Sequence, residues 1–407
     1  METRRPRLEV ADVVRFHGPD YVREHRSSTA QRKVLRHIAC CRTAALGGHV
    51  DECDGCGHRR ISYNSCRDRH CPKCQGPQRA QWLENRLERL LPVPYFHVVF
   101  TLPDELNPLL LRNKAAGYKI LFESATQTLR QIARDPKHLG AEIATTAILH
   151  SWGQNLLFHP HLHCVVTGGG LALDGKRWIS GRKDYFLPVK VLGKLFRWKF
   201  LAALDHAHKK DQLDLSGSTA ELRDPVRWVA LRDRLYRKDW VVYAKPPFGG
   251  PQQVFRYLGR YTHRVAISNH RLVRVQNGKV TFTARDYKNG GKRKSLTLDA
   301  DEFLRRFLLH VLPKRFVRIR HYGIYAARNV QTKLVLAREL LEPNVNPARP
   351  VTSLRPRTWA ERFREQTGVD VMACPSCGEP LVRRHVIPPE EAGSSARASP
   401  ERKEAVS

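Results

Sequence analysis

Acidic residues are scarce in this 407-residue chain: 39 Asp and Glu stand against 71 Lys and Arg, a net charge of +32 at pH 7. A surface built for solubility mixes its signs and carries far less net charge. The shortage of acids therefore points to a polyanionic partner, nucleic acid first. Fifty of the 71 basic residues are Arg, which suits bidentate phosphate and guanine contacts, although a GC-rich genome would bias usage the same way. Long apolar runs are missing too. No stretch approaches 18 apolar residues, which excludes a transmembrane helix and leaves no membrane partner to expect. The N-terminal METRRPRLEVADVVRF has no apolar h-region, so no signal peptide is expected and the cytoplasm is the expected location. There is no Walker-type glycine loop with Lys-Ser/Thr, and no repeat of fixed period. With 41% apolar and 27% charged residues, the chain is not the composition of a largely disordered protein.

The sequence divides into three parts: residues 1–92, 93–335 and 336–407. The first holds a short helical lead, a helix around 28–45 stopped by Gly47 and Gly48, and a second helix from about Pro77 to Leu91. In the second part Tyr95–Leu102 (YFHVVFTL), Glu142–Ser151 and residues 161–171 read as strands, and Glu105–Asp135 as a helix. Arg271–Tyr287 reads as a hairpin across Asn277-Gly278, the preferred type I′ turn pair. Beyond about 388 the composition predicts a disordered tail.

What is present in quantity is cysteine, ten residues, expected in a reducing compartment where paired C-x2-C motifs read as metal ligands. Cys53-x2-Cys56 and Cys71-x2-Cys74 lie fourteen residues apart. That is close to a zinc-ribbon gap, so the four thiolates are expected to close on one structural Zn²⁺. His58, Cys66 and His70 could replace a ligand, and Arg59, Arg60, Arg67, Arg69 and Lys73 surround the site. Cys374-x2-Cys377 stands alone. It reads equally as half of a second zinc knuckle or as a metal-free turn.

His159-Pro160-His161-Leu162-His163 is the second constellation. On a strand, residues i and i+2 share a face, so His161 and His163 project together and can hold one divalent ion while Leu162 packs inward. Pro160 cannot donate to a ladder, so the strand is expected to begin at His161. Gln154, just upstream, is the candidate third ligand. The third constellation is Tyr257-Leu258-Gly259-Arg260-Tyr261. Gln252 to Arg264 reads as a helix that puts both tyrosines on one face and lines Arg256, Arg260 and Arg264 beside them. Spacing alone also allows two aromatics in a core seam.

Together these motifs resemble those of HUH endonucleases, and more narrowly of the rolling-circle transposases of the insertion sequence 91 family. The stretches that carry the resemblance are HVDECDGCGHRRISYNSCRDRHCPKCQ, YFHVVFTLP, SWGQNLLFHPHLHCVVTGGGL and FRYLGRYTHRVAISNHRL, over residues 20 to 335. The resemblance implies an α+β fold: an HUH-type antiparallel sheet flanked by helices, with a small N-terminal zinc-ribbon-like module. It implies catalytic Mg²⁺ or Mn²⁺ on His161 and His163, structural Zn²⁺, and Tyr257 and Tyr261 as nucleophiles. These would cut single-stranded DNA at transposon ends and form a 5′-phosphotyrosine, on bacterial DNA in the nucleoid. Stacking and phosphate contacts are expected from Lys314, Arg315, Arg318 and Arg320, with Phe316, His321 and Tyr322 among them, although a basic edge strand reads the same way. Two rival readings remain at this level: a plasmid replication initiator or relaxase, and a zinc-containing DNA-binding regulator without catalysis.

Overall fold

The structure is a computed structural model that describes residues 8–74, 81–82, 85–182, 187–245, 266–286, 290–342 and 358–390. Tyr257, Tyr261, Arg256, Arg260 and Arg264, residues 77–80 and 83–84 of the helix expected over 77–91, and the tail beyond 390 lie outside the described residues. No helix among the described residues is long and apolar enough to cross a membrane.

Along the chain come helices α1 (Val10–Glu24) and α2 (Thr29–Cys40), then strands β1 (Gly48–Cys53), β2 (Arg59–Tyr63) and β3 (Tyr95–Thr101). Next are α3 (Asn107–Arg112), α4 (Lys114–Arg134), β4 (Ala141–Glu142), β5 (Ala144–Trp152), β6 (Phe158–Thr167), β7 (Gly169–Ala172) and β8 (Trp178–Ser180). Helices α5 (Val189–Lys209) and α6 (Pro225–Arg237) precede β9 (Val242–Lys245), β10 (Leu272–Gln276), β11 (Lys279–Asp286) and β12 (Lys292–Asp299). The chain continues through α7 (Ala300–Leu308), β13 (Ile319–Gly323), α8 (Lys333–Leu341), α9 (Trp359–Thr367) and β14 (Leu381–Ile387).

The centre is an antiparallel five-stranded sheet in the order β13-β5-β6-β3-β9. Its strands alternate, as the pleat requires. Phe96, Val98 and Phe100 of β3 and Leu162, Cys164 and Val166 of β6 point to one face, where Phe122, Leu129, Phe196 and Phe200 of α4 and α5 join them in the main core. The opposite face is closed at one end by Tyr95, Ile148 and Val165 under Leu334 and Ala337 of α8. A second core joins Val10, Val14 and Ile38 of the N-terminal helices to Phe282 of the β10-β11-β12 sheet and to Phe303 and Phe307 of α7. The architecture is thus α+β, with antiparallel sheets and flanking helices, as expected.

Several elements depart from their expected form. The helix expected over 105–135 breaks at Asn113 (φ −111°, ψ 41°), whose amide side chain bonds the carbonyls of Leu109 and Asp214. The strand expected over 161–171 is two strands, parted at Gly168, whose N–H donates to Pro94. Asn277 and Gly278 both adopt positive φ in the expected hairpin turn. The third strand beside it, β12, reads Lys-Arg-Lys-Ser before any alternation appears, so its sequence announces a solvated segment.

Gly323 ends β13 at φ +62°, and a Cβ there would lie 1.8 Å from the Ile143 carbonyl oxygen. Gly290 has a similar φ of +65° with open space around it. Gly323→Ala is therefore expected to cost about 2 kcal/mol or more of stability, and Gly290→Ala the smaller backbone strain alone. Denaturant midpoints of the two variants check this; equal shifts would contradict it.

Candidate functional site

Three histidines meet on the face of the central sheet opposite α4 and α5. In an antiparallel ladder, directly opposed residues share a face. His150 of β5 pairs with His161 of β6, and His163 lies two residues further along β6, opposite Val99 of β3. The ligand nitrogens of His150, His161 and His163 lie within 4.8 Å of one another. Ring centroids are 4.3 Å apart for His150 and His163, and 4.8 Å for His161 and His163. Trp152 stacks on His150 at 4.8 Å.

A hydrogen bond fixes the tautomer of His161. The His159 carbonyl can only accept, so His161 donates Nδ1–H to it at 2.7 Å and keeps the Nε2 lone pair for a cation. His163 Nδ1 meets His97 Nε2 at 2.7 Å. If His163 donates there, its Nε2 is likewise left as a ligand, and His97 is the orienting partner behind it. Burial, the largest influence, lowers the His161 pKa to about 4, against the His159 carbonyl bond that raises it. Burial also takes His97 to about 4, with Lys245 adding to the effect, and drives His163 well below its ordinary value. Neutral imidazoles are the form that binds metal. The chemistry of the donor set fits a divalent first-row cation.

The strand carrying these residues begins at Phe158, three residues earlier than expected, and includes Pro160. The reason is a bulge: the register shifts between His150 and Trp152, and Trp152 pairs with Phe158. Two residues of β6, His159 and Pro160, thus oppose one of β5, and a bulge is where a residue without an N–H is tolerated. His159 is turned aside, with Nδ1 3.4 Å from Asp104. Gln154 sits in the turn between the strands, and its main-chain carbonyl accepts from Arg271. His150 was not singled out in the sequence. Its only signal is its place at the end of the strand expected over Glu142–Ser151, and the register that sets it opposite His161 is a tertiary fact.

The cysteines correct the expectation of one site. Cys53 and Cys56 do not meet Cys71 and Cys74. Cys41, Cys66, Cys71 and Cys74 form one cluster, and Cys53, Cys56, Cys374 and Cys377 another. The cause is β2, which runs back along β1 until Tyr63 faces Gly48. By Cys66 the chain has returned the length of β1, about 17 Å at 3.3 Å per residue, from the turn that holds Cys53. In the first cluster the sulfurs of Cys41 and Cys66 lie 3.5 and 3.6 Å from that of Cys74. Asp68 braces the loop between its ligands, accepting from His70 and meeting His37, each at 2.9 Å. Burial pushes the Asp68 carboxyl up, but these partners outweigh it and hold the pKa at about 2.

The basic residues expected around the metal are largely used within the fold. Arg59 pairs with Glu52, Arg60 with Asp51 and Lys73 with Glu9, while Arg69 donates to the carbonyls of Pro313 and Phe316. In the 314–322 stretch only Lys314, Arg315 and Val317 are exposed. Burial lowers the Arg318 pKa to about 9. His321 accepts from Arg86 and contacts the Thr146 hydroxyl. The Arg320 guanidinium lies 4.3 Å from the Phe122 ring centroid and 5.2 Å from that of Phe316. Arg320→Ala is expected to lower the thermal midpoint and leave affinity for single-stranded DNA within about twofold, because its stem and plane pack internally. Lys314→Ala with Arg315→Ala should do the opposite, reducing the log–log salt slope by about 1.4. A filter-binding salt titration beside a melting curve separates the two; the reverse pattern would assign Arg320 to DNA.

Comparison with known proteins places the chain in a family. Residues 144–333 match a family model described as "Putative transposase", and residues 13–102 match a "Transposase zinc-binding domain" of the IS91 type. The chain is 52% identical over 370 residues to "Putative transposase y4qJ" of Sinorhizobium fredii (strain NBRC 101917 / NGR234), covering 91% of this chain and 92% of that one. It is 29% identical over 355 residues to "Transposase for insertion sequence element IS801" of Pseudomonas savastanoi pv. phaseolicola, covering 86% and 82%. No solved structure matches. With a relative this similar over nine-tenths of both chains, and both matched regions in place, the chain belongs to the insertion sequence 91 family of transposases.

Proposed function

We propose that this transposase cuts one strand of DNA at the ends of its element with Tyr257 and Tyr261, beside a divalent cation held by His150, His161 and His163. The observation that carries the reading is the histidine triad on one sheet face, with His161 Nε2 left as a ligand by the bond of its Nδ1–H to the His159 carbonyl. Supporting it, β9 is the edge strand next to β3, with Lys245 opposite His97 and the exposed Tyr243 opposite Val99. Tyr257 and Tyr261 follow Lys245 by twelve and sixteen residues, a tether that spans up to about 40 Å to the nearer one.

A bound Mg²⁺ or Mn²⁺ supplies Lewis-acid polarisation of the scissile phosphate. The chain's own residues do the rest. A tyrosine hydroxyl, with an ordinary pKa near 10, gives up its proton and its oxygen attacks phosphorus. The P–O3′ bond breaks, the 3′ oxygen leaves as a hydroxyl with a proton, and the 5′ phosphate stays on tyrosine. Because one phosphoester replaces another, a 3′-OH can reverse the step elsewhere without ATP. The second tyrosine allows a second cut while the first strand is held, which suits a rolling-circle course. His150 takes the place that Gln154 was expected to fill. Zinc at Cys41, Cys66, Cys71 and Cys74 is the structural ion within the zinc-binding domain. The reaction takes place in the cytoplasm, on nucleoid DNA.

With labelled single-stranded oligonucleotides from the element's ends, His150→Ala, His161→Ala and His163→Ala are each expected to slow metal-dependent cleavage by about 100-fold or more. DNA binding should persist, and Gln154→Ala should cut nearly normally. The Tyr257→Phe/Tyr261→Phe protein should fold, keep its zinc and make no covalent adduct. Cleavage at the ordinary rate by the double Phe protein would sink the tyrosine assignment, and cleavage by His150→Ala the third ligand.

A further inference from the structure

The cluster of Cys53, Cys56, Cys374 and Cys377 lies partly outside both regions that match family models, since residues 374 and 377 fall beyond 333. We propose that it is a second structural zinc site, a clasp that ties the C-terminal segment 358–390 to the N-terminal module. The geometry is that of two facing knuckles with the same backbone pattern. Cys53 N–H donates to the His58 carbonyl, and Gly57 N–H donates back to the Cys53 carbonyl. Cys374 N–H donates to the Glu379 carbonyl, and Gly378 N–H donates back to Cys374. Both glycines take the positive φ that the tight turn demands, +70° and +85°. Ser376 N–H also points at the Cys374 sulfur at 3.4 Å, a contact that steadies a thiolate. The knuckles meet with sulfurs 3.4 Å apart for Cys53 and Cys377, and 3.6 Å for Cys56 and Cys374. Four thiolates on two tight turns are the donor set of a closed tetrahedral zinc site.

The surrounding structure fits a clasp. β14, which follows the second knuckle, pairs with β1 from Cys53↔Leu381 to Gly48↔Ile387. Arg383 pairs with Asp51, and Arg384 with Asp54. Among the described residues, the buried cluster beneath the sulfurs is Cys53, Cys374 and Leu381. Those three side chains bury little apolar surface beside the pairing of β14 with β1. Metal binding would add to this, because its free energy appears only when both knuckles are in place.

The test is zinc per chain, by elemental analysis of the full-length protein, with thiols counted after denaturation without reductant. Two zinc ions and no disulfide are expected in the parent. Cys374→Ser/Cys377→Ser should hold one, with helix content retained, and its C-terminal segment should become open to limited proteolysis. Cys377→His, which offers an imidazole in place of the thiolate, should keep two. One zinc in both the parent and the double Ser protein would overturn the proposal, and so would Cys53–Cys377 or Cys56–Cys374 disulfides in the parent. Cleavage activity is not read here, so failure of the clasp leaves the tyrosine chemistry untouched.

Discussion

The register of one hairpin governs the functional face. β5 and β6 are joined so that His150 faces His161 and Ile148 faces His163. A slip of one residue in a strand turns every side chain to the other side of the sheet. Such a slip in β6 would send its histidines into the core and bring Leu162 and Cys164 out. Apolar burial therefore holds the register: Leu162, Cys164 and Val166 are fully buried against α4 and α5. The bulge at His159-Pro160 ends regular pairing just beyond the triad, so the histidines stand at the last well-paired positions, where the face becomes accessible.

The N-terminal cysteine loop supports that sheet from outside. Arg69 bonds the carbonyls of Pro313 and Phe316, and the Leu312 N–H donates to His70 Nε2. These carbonyls belong to the connection that enters β13, the strand beside β5. Cys41, Cys71 and Cys74 lie in the same buried cluster as Phe282, Phe303 and Phe307. An ion in that cluster would therefore order a loop on which the catalytic sheet leans.

How far the sequence revealed this depended on the range of the interaction. The Asn277-Gly278 turn, the Tyr95 strand and the shared face of His161 and His163 are local, and all are present. His150 could not be seen, because a histidine at a strand end gains meaning only from the residue across the ladder. The cysteines misled for a related reason. Local spacing fits a ribbon, but β2 doubles back and carries Cys71 away from Cys53, whose partners lie more than 300 positions along the chain. The stacking of the Arg320 guanidinium on Phe122 was not legible either, because Arg-rich composition does not distinguish a guanidinium in solvent from one over a ring. Tyr257 and Tyr261, expected on a helix, fall outside the described residues, so there the sequence remains the whole basis.

The central claim is that a tyrosine tethered to the edge of this sheet becomes joined to DNA through the histidine-lined site. The most direct measurement is peptide mapping by mass spectrometry after the full-length protein reacts with an end-derived oligonucleotide and Mn²⁺. The expected result is a nucleotide remnant attached through its 5′ phosphate to the peptide containing Tyr257 and Tyr261, absent when His161 or His163 is replaced by Ala. A remnant on any other residue, or strand cleavage with no protein-linked nucleotide at any time point, would contradict it.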